Sequence, residues 1–407
     1  MRTAGIVAEY NPFHKGHKFH IEETRRKTGA DCIAVVMSGN FVQRGEPAMF
    51  NKWLRAEAAV TGGADIVIEL PTVYSCSGAE AFARGAVEIL DRLGEVEVIS
   101  FGAEEDSADL LEEAAEIFAG ESTELSECIK QNLSEGYSYA AARSRAVEKI
   151  CGRRISEVIS SPNNILAVEY IKQLKLMNSS IKPLAVARKG SGYYEENPGE
   201  GFAGAGRLRD MLKEGYDTEE ILKYIPEETH ELYRDAHMCF SEDMYSLVAY
   251  KLLSESREAL AKTDGVVEGL ENRALKALPY SVDMESLIQG IKSKRYSRTS
   301  IQRMLVRILL GIKSVDMKNF GDCQTSYARV LAFNETGAKF IRQAKNKDNP
   351  GIKIITNVNR EKPEDPVLRR MMEYDIMASE IYDLICFSRI NINPDYKMKP
   401  YRHEIGK

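Results

Sequence analysis

One stretch near the N-terminus constrains the fold of this chain more than any other. Residues 6–8 are apolar, the run breaks at an Asn-Pro pair (residues 11–12), and a helical pattern begins after Gly16. This order predicts a buried strand, a tight loop and a helix, with His14 and His17 at the junction. In an open parallel sheet, a nucleotide binds beyond the carboxyl end of the first strand, with its phosphates against a helix N-terminus. The junction is therefore a candidate nucleotide site.

The residue types at this junction suit phosphate chemistry. Each imidazole can donate a hydrogen bond to a phosphoryl oxygen as charge shifts toward a leaving pyrophosphate, and Gly16 lets the backbone come close. Histidines at a strand end can also simply cap or pack, and a lone His-x-Gly-His tetrapeptide recurs by chance. The context, a strand before it and a helix after it, favours a catalytic role for His14 and His17.

The amino-acid sequence of this stretch resembles that of a known family. Residues 8–17 read Ala-Glu-Tyr-Asn-Pro-Phe-His-Lys-Gly-His, similar to the nucleotidyltransferases with the His-x-Gly-His signature and closest to the bacterial tRNA-Met cytidine acetate ligases. That family makes N4-acetylcytidine at the wobble position of elongator tRNA-Met from acetate and ATP. The resemblance runs over most of the chain and is strongest from Gly5 to Gly102. It implies ATP contacts by Val7, Ala8, Glu9, Tyr10, Asn11, Pro12, Phe13, His14, Lys15, Gly16, His17 and His20.

The next two hundred residues predict the fold class. Apolar runs at residues 32–37, 66–70, 96–101 and 182–187 alternate with helical patterns. This rhythm predicts an α/β fold, with a Rossmann-like, doubly wound parallel sheet over residues 1–214. Acidic helical segments at residues 107–152 predict an insertion beside that sheet.

Further candidate ATP contacts follow the predicted strands. The loop at residues 38–47 is worded like the Gly-Asn-x-x-Gln-Arg-Gly loop of the ligases, although it also fits an ordinary glycine-rich connection. Gly102 permits close approach of the backbone to a base or ribose, or simply makes a turn. The resemblance implies that Asn163 and Asn164 contact ATP. Their position at a helix start also fits ordinary helix capping. Arg188, after the fifth strand, is a candidate bidentate clamp on the triphosphate.

A second superfamily signature is altered in this chain. The usual Ile-Ser-Ser-Thr-x-Ile-Arg string is replaced at residues 203–209 by Ala-Gly-Ala-Gly-Arg-Leu-Arg, which keeps the final arginine and loses the hydroxyls. The backbone amides of Gly204 and Gly206 can still form an anion-binding nest, with charge from Arg209 and Arg207.

The C-terminal region, residues 215–407, is mainly helical in pattern, with short strands expected at residues 327–333 and 352–356. The net charge of −6 gives no global attraction to RNA, so a local basic cluster is needed. We expect this region to bind tRNA, although a solvated, charged helix pair is the alternative. The candidate tRNA contacts, hereafter the basic cluster, are Lys294, Arg295, Arg298, Arg303 and Arg307.

Composition excludes several other classes of protein. The 407 residues are 43% apolar, enough for buried cores, and no run approaches the roughly 18 apolar residues of a membrane span. We expect a cytoplasmic protein that does not contact a membrane. Seven scattered cysteines form no Cys-x-x-Cys pair and have no His at ligand spacing, so no protein-built metal site is predicted.

These observations favour an ATP-dependent ligase, as the resemblance implies. Acetate would attack the α-phosphorus of ATP to give acetyl-adenylate, with Mg²⁺ expected to share the triphosphate charge, and the cytidine amine would then take the acetyl group. A nucleotidyltransferase that makes a dinucleotide cofactor shares the N-terminal motifs but leaves the basic cluster unexplained. A nucleotide-binding protein without turnover is the third possibility, favoured by the missing hydroxyls.

Overall fold

Strands and helices alternate in the first half of the chain, and helices dominate the second. The computed structural model describes residues 1–104, 108–120, 123–187, 202–322, 327–346, 351–387 and 394–404. The strands in these ranges are β1 Thr3–Ala8, β2 Cys32–Ser38, β3 Phe41–Val42, β4 Glu46–Pro47, β5 Ile66–Leu70, β6 Val96–Ala103, β7 Lys182–Ala187, β8 Tyr327–Phe333, β9 Lys353–Ile355 and β10 Tyr401–Arg402.

The helices of the N-terminal region lie between and around these strands. They are α1 Lys15–Thr28, α2 Lys52–Thr61, α3 Thr72–Ser75, α4 Ala79–Leu93, α5 Ala108–Ala119, α6 Thr123–Ser134, α7 Tyr139–Cys151, α8 Arg153–Val158, α9 Pro162–Leu176 and α10 Ala205–Lys213.

The C-terminal region adds many short helices and one long one. They are α11 Thr218–Leu222, α12 His230–Arg234, α13 Tyr245–Ser254, α14 Arg257–Ala261, α15 Leu270–Ala277, α16 Met284–Ile291, α17 Arg298–Leu310, α18 Ser314–Asp322, α19 Glu335–Lys345, α20 Pro366–Phe387 and α21 Pro394–Lys397. Among the helices in the described ranges, none combines the length and apolarity needed to cross a bilayer.

The central sheet has the order β10-β8-β5-β2-β1-β6-β7, with β9 on the side of β8. Strand β1 lies near the middle and pairs in parallel with β2 and β6, while β5 and β7 extend the parallel part. This confirms the predicted α/β class with a mainly parallel sheet. Strand β8 runs antiparallel to β5, so β8, β9 and β10 reverse the direction of the sheet.

Both faces of the sheet are covered, as the continuous apolar strands require. Successive side chains of a strand point to opposite faces, and β2 shows this clearly. Cys32, Ala34 and Val36 belong to one core, with residues of α4, α9, α17 and α20. The intervening Ile33 and Val35 belong to a second core, with residues of α1, α2 and α10. The sheet is therefore doubly wound, and helix α1 lies on one defined side of it.

Strands from the C-terminal region extend the sheet that the N-terminal strands form. Strand β8 pairs with β5, and β10 follows on β8. The sheet therefore contains strands from both sides of the predicted domain boundary at residue 214. The assignment of ATP binding to residues 1–214 and of tRNA binding to residues 215–407 stays a prediction.

A buried charge cluster stabilises the attachment of the C-terminal segments to the sheet. Lys52 Nζ lies 2.7 Å from Glu69 Oε1 and 2.9 Å from Asp395 Oδ2, and Arg329 Nη1 lies 2.8 Å from the same Asp395 oxygen. All four side chains are at most 3% exposed. Because removal of one partner leaves an uncompensated buried charge, such a cluster tolerates little change. It joins α2, β5, β8 and α21.

The predicted helices at residues 243–254, 284–293 and 300–312 correspond to α13, α16 and α17. The helix expected at residues 265–278 begins later, at Leu270. The reason is local: Gly265 and Gly269 have φ of +81° and +79°, in the left-handed region that interrupts a right-handed helix.

Candidate active site

His14 and His17 close the N-terminus of α1 with their side chains. His14 is the N-cap residue, and its Nδ1 accepts a hydrogen bond of 3.0 Å from the backbone N–H of Gly16. His17 Nδ1 accepts in turn from the backbone N–H of His14, at 3.3 Å. A neutral imidazole that accepts at Nδ1 carries its proton on Nε2. Both histidines are thus set as Nε2–H donors at a helix end that already attracts anions.

Aromatic packing holds these two rings in place. The His14 and His17 rings are stacked, with centroids 3.7 Å apart, and the Tyr10 ring lies 4.7 Å from His17. His14 is only 5% exposed, so its ring orientation is set by its neighbours. The preceding loop has Tyr10 at φ 49° and a cis Asn11-Pro12 bond. Asn11 Oδ1 accepts from the backbone N–H of Met49 at 2.7 Å, which joins this loop to the segment before α2.

Arg55 ties together the carboxyl ends of β1 and β2. Its fully buried guanidinium donates to the carbonyl oxygens of Glu9, Ser38, Gly39 and Phe50. Burial lowers the pKa of Arg55 to about 10, which still leaves the group charged at neutral pH. The sequence pattern did not single out Arg55 as a site residue, since a cation on the first turn of a helix is usually exposed.

The loop at residues 38–47 forms a small hairpin of β3 and β4, hereafter the β3–β4 hairpin, residues 41–47. Glu9 Oε1 accepts a hydrogen bond of 2.8 Å from the backbone N–H of Gln43 in this hairpin. Burial raises the pKa of Glu9, opposed by that backbone hydrogen bond and by the charges of Arg209 and Arg44. The hairpin is therefore attached directly to the residue that follows β1.

The end of β6 lies beside the start of α9. Asn164 Oδ1 accepts from the backbone N–H of Glu104 at 3.1 Å, and Asn163 Nδ2 donates to Glu104 Oε1 at 2.8 Å. Gly102, two residues earlier, pairs with Val186 of β7. The structure thus brings together Gly102, Asn163 and Asn164, which the sequence predicted as ATP contacts from distant positions.

The start of α10 leaves space beside its two glycines among the described residues. Gly204 is its N-cap residue and makes no side-chain cap, and a Cβ at Gly204 or Gly206 would meet no atom within 4 Å among the described residues. Arg209 Nη1 donates to the carbonyl oxygen of Asn11 at 2.7 Å, so this helix lies against the histidine loop. Arg207 is paired with Glu214 at 3.1 Å instead. The predicted clamp Arg188 lies outside the described residues.

The other predicted contacts of the first loop differ in placement. Val7 and Ala8 are the last two residues of β1, and Phe13 is fully buried. His20 Nε2 lies 2.9 Å from Ser100 Oγ of β6. Lys15 Nζ donates to the carbonyl oxygen of Lys223 at 2.6 Å, so its ammonium helps to hold the segment after α11.

The basic cluster is divided between the surface and the interior. Lys294 is exposed, and Arg295 and Arg298 are half-exposed and paired with Glu268 at 2.6 Å and Glu285 at 2.7 Å. The sequence did not reveal these two partners, which reduce the local excess of positive charge.

Arg303 and Arg307 do not lie on an exposed RNA surface, in contrast to the prediction. Arg307 is 9% exposed, donates to Ser77 Oγ at 2.7 Å and is paired with Asp264. Arg303 Nη1 donates to the carbonyl oxygen of Gln43 at 3.2 Å, and burial lowers its pKa to about 10. Arg307 is buried and Arg303 is partly buried, because this face of α17 packs on the α/β part of the molecule.

This packing brings the basic cluster close to the candidate ATP site. A Cβ on Gly45 would overlap the backbone of Gln302 and Arg303, so the β3–β4 hairpin lies directly on α17. The same hairpin holds Glu9 through Gln43. Gly45 and Arg303, which lie more than 250 positions apart in the sequence, are therefore neighbours.

A doubly wound sheet whose first strand leads into two histidine donors at a helix N-terminus defines a nucleotidyltransferase-type protein. The family described as HIGH Nucleotidyl Transferase matches residues 1–395 of the chain. The tRNA(Met) cytidine acetate ligase of Clostridium botulinum (strain Okra / Type B1) is 37% identical over 98% of both chains. That of Acetivibrio thermocellus is 36% identical over 98% of this chain and 97% of the relative. The chain belongs to the HIGH nucleotidyl transferase family, and within it to the tRNA(Met) cytidine acetate ligases.

Solved structures agree with this assignment. The crystal structure of Thermotoga maritima TmcAL bound with alpha-thio ATP superposes with a TM-score of 0.89 at 28% identity, covering 99% of this chain and 100% of that one. The apo form of the same protein has a TM-score of 0.91 with equal coverage.

Proposed function

We propose that this protein activates acetate with ATP and transfers the acetyl group to the wobble cytidine of elongator tRNA-Met. The observation that carries the proposal is the pair of fixed Nε2–H donors of His14 and His17, in a chain that aligns with the acetate ligases along 98% of its length. The names of the relatives and the ATP analogue in the TmcAL structure support it.

In the first step, an acetate oxygen attacks the α-phosphorus of ATP, and the bond to the β-phosphate oxygen breaks to release pyrophosphate. His14 and His17 stabilise the negative charge that develops on the phosphate oxygens, because their donors are oriented before the reaction begins. The amides at the starts of α1 and α10 add partial positive charge. Gly102, Asn163 and Asn164 hold the adenosine part, and Arg188 is proposed as the triphosphate clamp.

Mg²⁺ is expected to accompany this step. In the part of the chain that the structure describes, no group of three or more His, Cys, Asp or Glu side chains is arranged to hold a metal ion. We expect the ion to enter on the triphosphate of ATP, where it shares the negative charge.

In the second step, the exocyclic amine of cytidine attacks the acetyl carbonyl, and the bond to the adenylate oxygen breaks to release AMP. The base must be unstacked to reach the crevice. We propose that the exposed part of the basic cluster, Lys294, Arg295 and Arg298, contacts the tRNA backbone. The β3–β4 hairpin contacts Glu9 and also Arg303 of α17, the helix that begins at Arg298, so a bound anticodon loop would be near the adenylate.

Incubation with ATP and labelled acetate, with and without bulk tRNA, tests the proposal against both alternatives. We expect acetylated cytidine in the tRNA and AMP in equal amount. A labelled dinucleotide made from a phosphorylated small molecule would instead indicate a cofactor-forming nucleotidyltransferase. Binding of ATP with no product in any mixture would indicate a nucleotide-binding protein without turnover.

A further inference from the structure

The second step of the proposed reaction, on which this inference rests, needs a group that takes a proton. When the cytidine amine bonds to the acetyl carbon, its nitrogen must lose one hydrogen. His14 and His17 are poorly suited to take it, because the Nδ1 lone pair of each ring already accepts a backbone N–H. A neutral ring in that tautomer offers a donor at Nε2 and no second lone pair. The acceptor must be sought elsewhere at the end of β1.

Glu9 occupies the position where such a group is needed. It is the first residue after β1, the strand near the middle of the parallel sheet, where a ligand of such a sheet binds. One oxygen of its carboxylate accepts from Gln43 N at 2.8 Å, which fixes the side chain against the β3–β4 hairpin. The backbone of Glu9 is fixed too, since its carbonyl oxygen accepts from Arg55.

The surroundings of Glu9 contain several charged and titratable groups. Arg209 on α10 and Arg44 in the hairpin favour the ionised carboxylate, and Glu46 in the hairpin opposes it. Arg55 on α2, Tyr170 on α9 and Cys76 after α3 are also within electrostatic reach. Burial has the largest effect and raises the pKa of Glu9 above that of an ordinary glutamate. A carboxylate with raised proton affinity is a better base.

Other groups near this strand end are less suited. Burial places the pKa of the Tyr10 hydroxyl well above its usual range, so that group stays protonated. Glu46 Oε1 is paired with Arg209 Nη2 at 3.6 Å. Glu104, at the end of β6, accepts from Asn163.

We propose that the Glu9 carboxylate is the proton acceptor of the acetyl-transfer step. As the cytidine N4 attacks the acetyl carbon, one N4 proton moves to a Glu9 oxygen while the nitrogen–carbon bond forms. The carbon–oxygen bond to the phosphate then breaks, and AMP leaves with that electron pair. The Glu9 proton passes to solvent before the next turnover, so charge and atoms balance.

The variant Glu9→Gln tests this role with little change in shape. Its amide oxygen can still accept from Gln43 N, so the hairpin contact is kept while the base is lost. The two half-reactions are measured separately, as acetate-dependent ATP–pyrophosphate exchange and as single-turnover acetylation of tRNA from preformed acetyl-adenylate. We expect acetyl transfer to fall at least about 100-fold more than exchange, the usual scale for loss of a general base. Glu97→Gln, an exposed carboxylate at the opposite end of β6, is the matched control.

A pH profile separates a chemical role from a structural one. In the wild type, the transfer rate should rise with pH as Glu9 ionises and then level off, whereas Glu9→Gln should lose that rise. Glu9→Asp should recover part of the rate. Equal loss of both half-reactions in Glu9→Gln, or transfer at the wild-type rate, would overturn the proposal. Absence of acetylcytidine with the wild-type protein would instead overturn the proposed function, and this step with it.

Discussion

His14 and His17 each use Nδ1 for structure, so the proposed chemical role falls to Nε2. Nδ1 of each ring accepts a backbone N–H at the start of α1, a task that Ser, Thr, Asp or Asn usually performs. This hydrogen bonding selects the tautomer with a proton on Nε2. A substitution at either position therefore changes helix capping and phosphate contact together, unless the new side chain replaces the cap.

Comparison of His14→Asn with His14→Ala separates these two effects. The Asn side chain can accept from Gly16 N and keep the cap, whereas Ala cannot, so His14→Ala should lose about 1 kcal/mol more stability than His14→Asn. Both variants should slow adenylate formation about 100-fold or more, because both lose the Nε2–H donor. Thermal unfolding and pyrophosphate exchange measure the two effects. Near-normal exchange by His14→Asn would show that His14 is only a cap.

At the scale of elements, the β3–β4 hairpin connects the nucleotide crevice to α17. Gln43 contributes to both contacts: its N–H donates to Glu9 and its carbonyl oxygen accepts from Arg303. Gly45 has φ of +79° and lies against the backbone of α17. A side chain at this position is opposed by both the backbone conformation and the lack of space.

Gly45→Ala should therefore displace the hairpin from α17. We expect a loss of roughly 1–3 kcal/mol in the free energy of unfolding, as for other overpacked sites, and a loss of acetyl transfer. Gly78→Ala is the matched control, because φ at Gly78 is −63° and no described atom lies within 4 Å of its added Cβ. Chemical denaturation measures both variants. Equal stability of the two would contradict the docking of the hairpin on α17.

Local patterns predicted most elements but few of the contacts between them. The bounds of β5 and β7 agree with the sequence prediction, because each is an apolar run with a clear break after it. The antiparallel pairing of β8 with β5 was not predicted, because no local pattern records which strand a segment joins. The burial of Arg307 was also missed, since its partner Ser77 lies 230 residues away in the sequence.

The candidate site shows the same limit. The motif predicted His14, His17 and the loop around them, and the structure adds that Gly102, Asn163 and Asn164 meet at one edge. Arg55 was missed because its role depends on carbonyl groups from two different strand ends. Arg188 stays a prediction.

At the scale of the whole molecule, the candidate tRNA-binding surface and the candidate ATP site lie on two sides of the β3–β4 hairpin. The chain carries a net charge of −6, so tRNA capture must depend on local cations. Of the basic cluster, Lys294, Arg295 and Arg298 remain at the surface.

Changing Lys294, Arg295 and Arg298 to Ala should weaken tRNA binding at least about tenfold and reduce the slope of log affinity against log salt by about 2 to 3, because fewer counterions are released. Acetate-dependent pyrophosphate exchange without tRNA should be spared. A triple Ala variant of the exposed cations Lys339, Arg342 and Lys345 on α19 removes the same charge elsewhere and serves as control. Unchanged tRNA binding over a range of salt would show that the RNA site lies elsewhere.

The most direct test of the central claim is the position of the acetyl group. Elongator tRNA-Met is incubated with the protein, ATP and isotopically labelled acetate, digested with a nuclease, and the fragments are identified by mass spectrometry. The account predicts one labelled N4-acetylcytidine, in the anticodon fragment at the wobble position, and no label in a tRNA whose wobble cytidine is replaced by uridine. Label elsewhere in the tRNA, label that persists after the replacement, or ATP consumption without labelled RNA would contradict it.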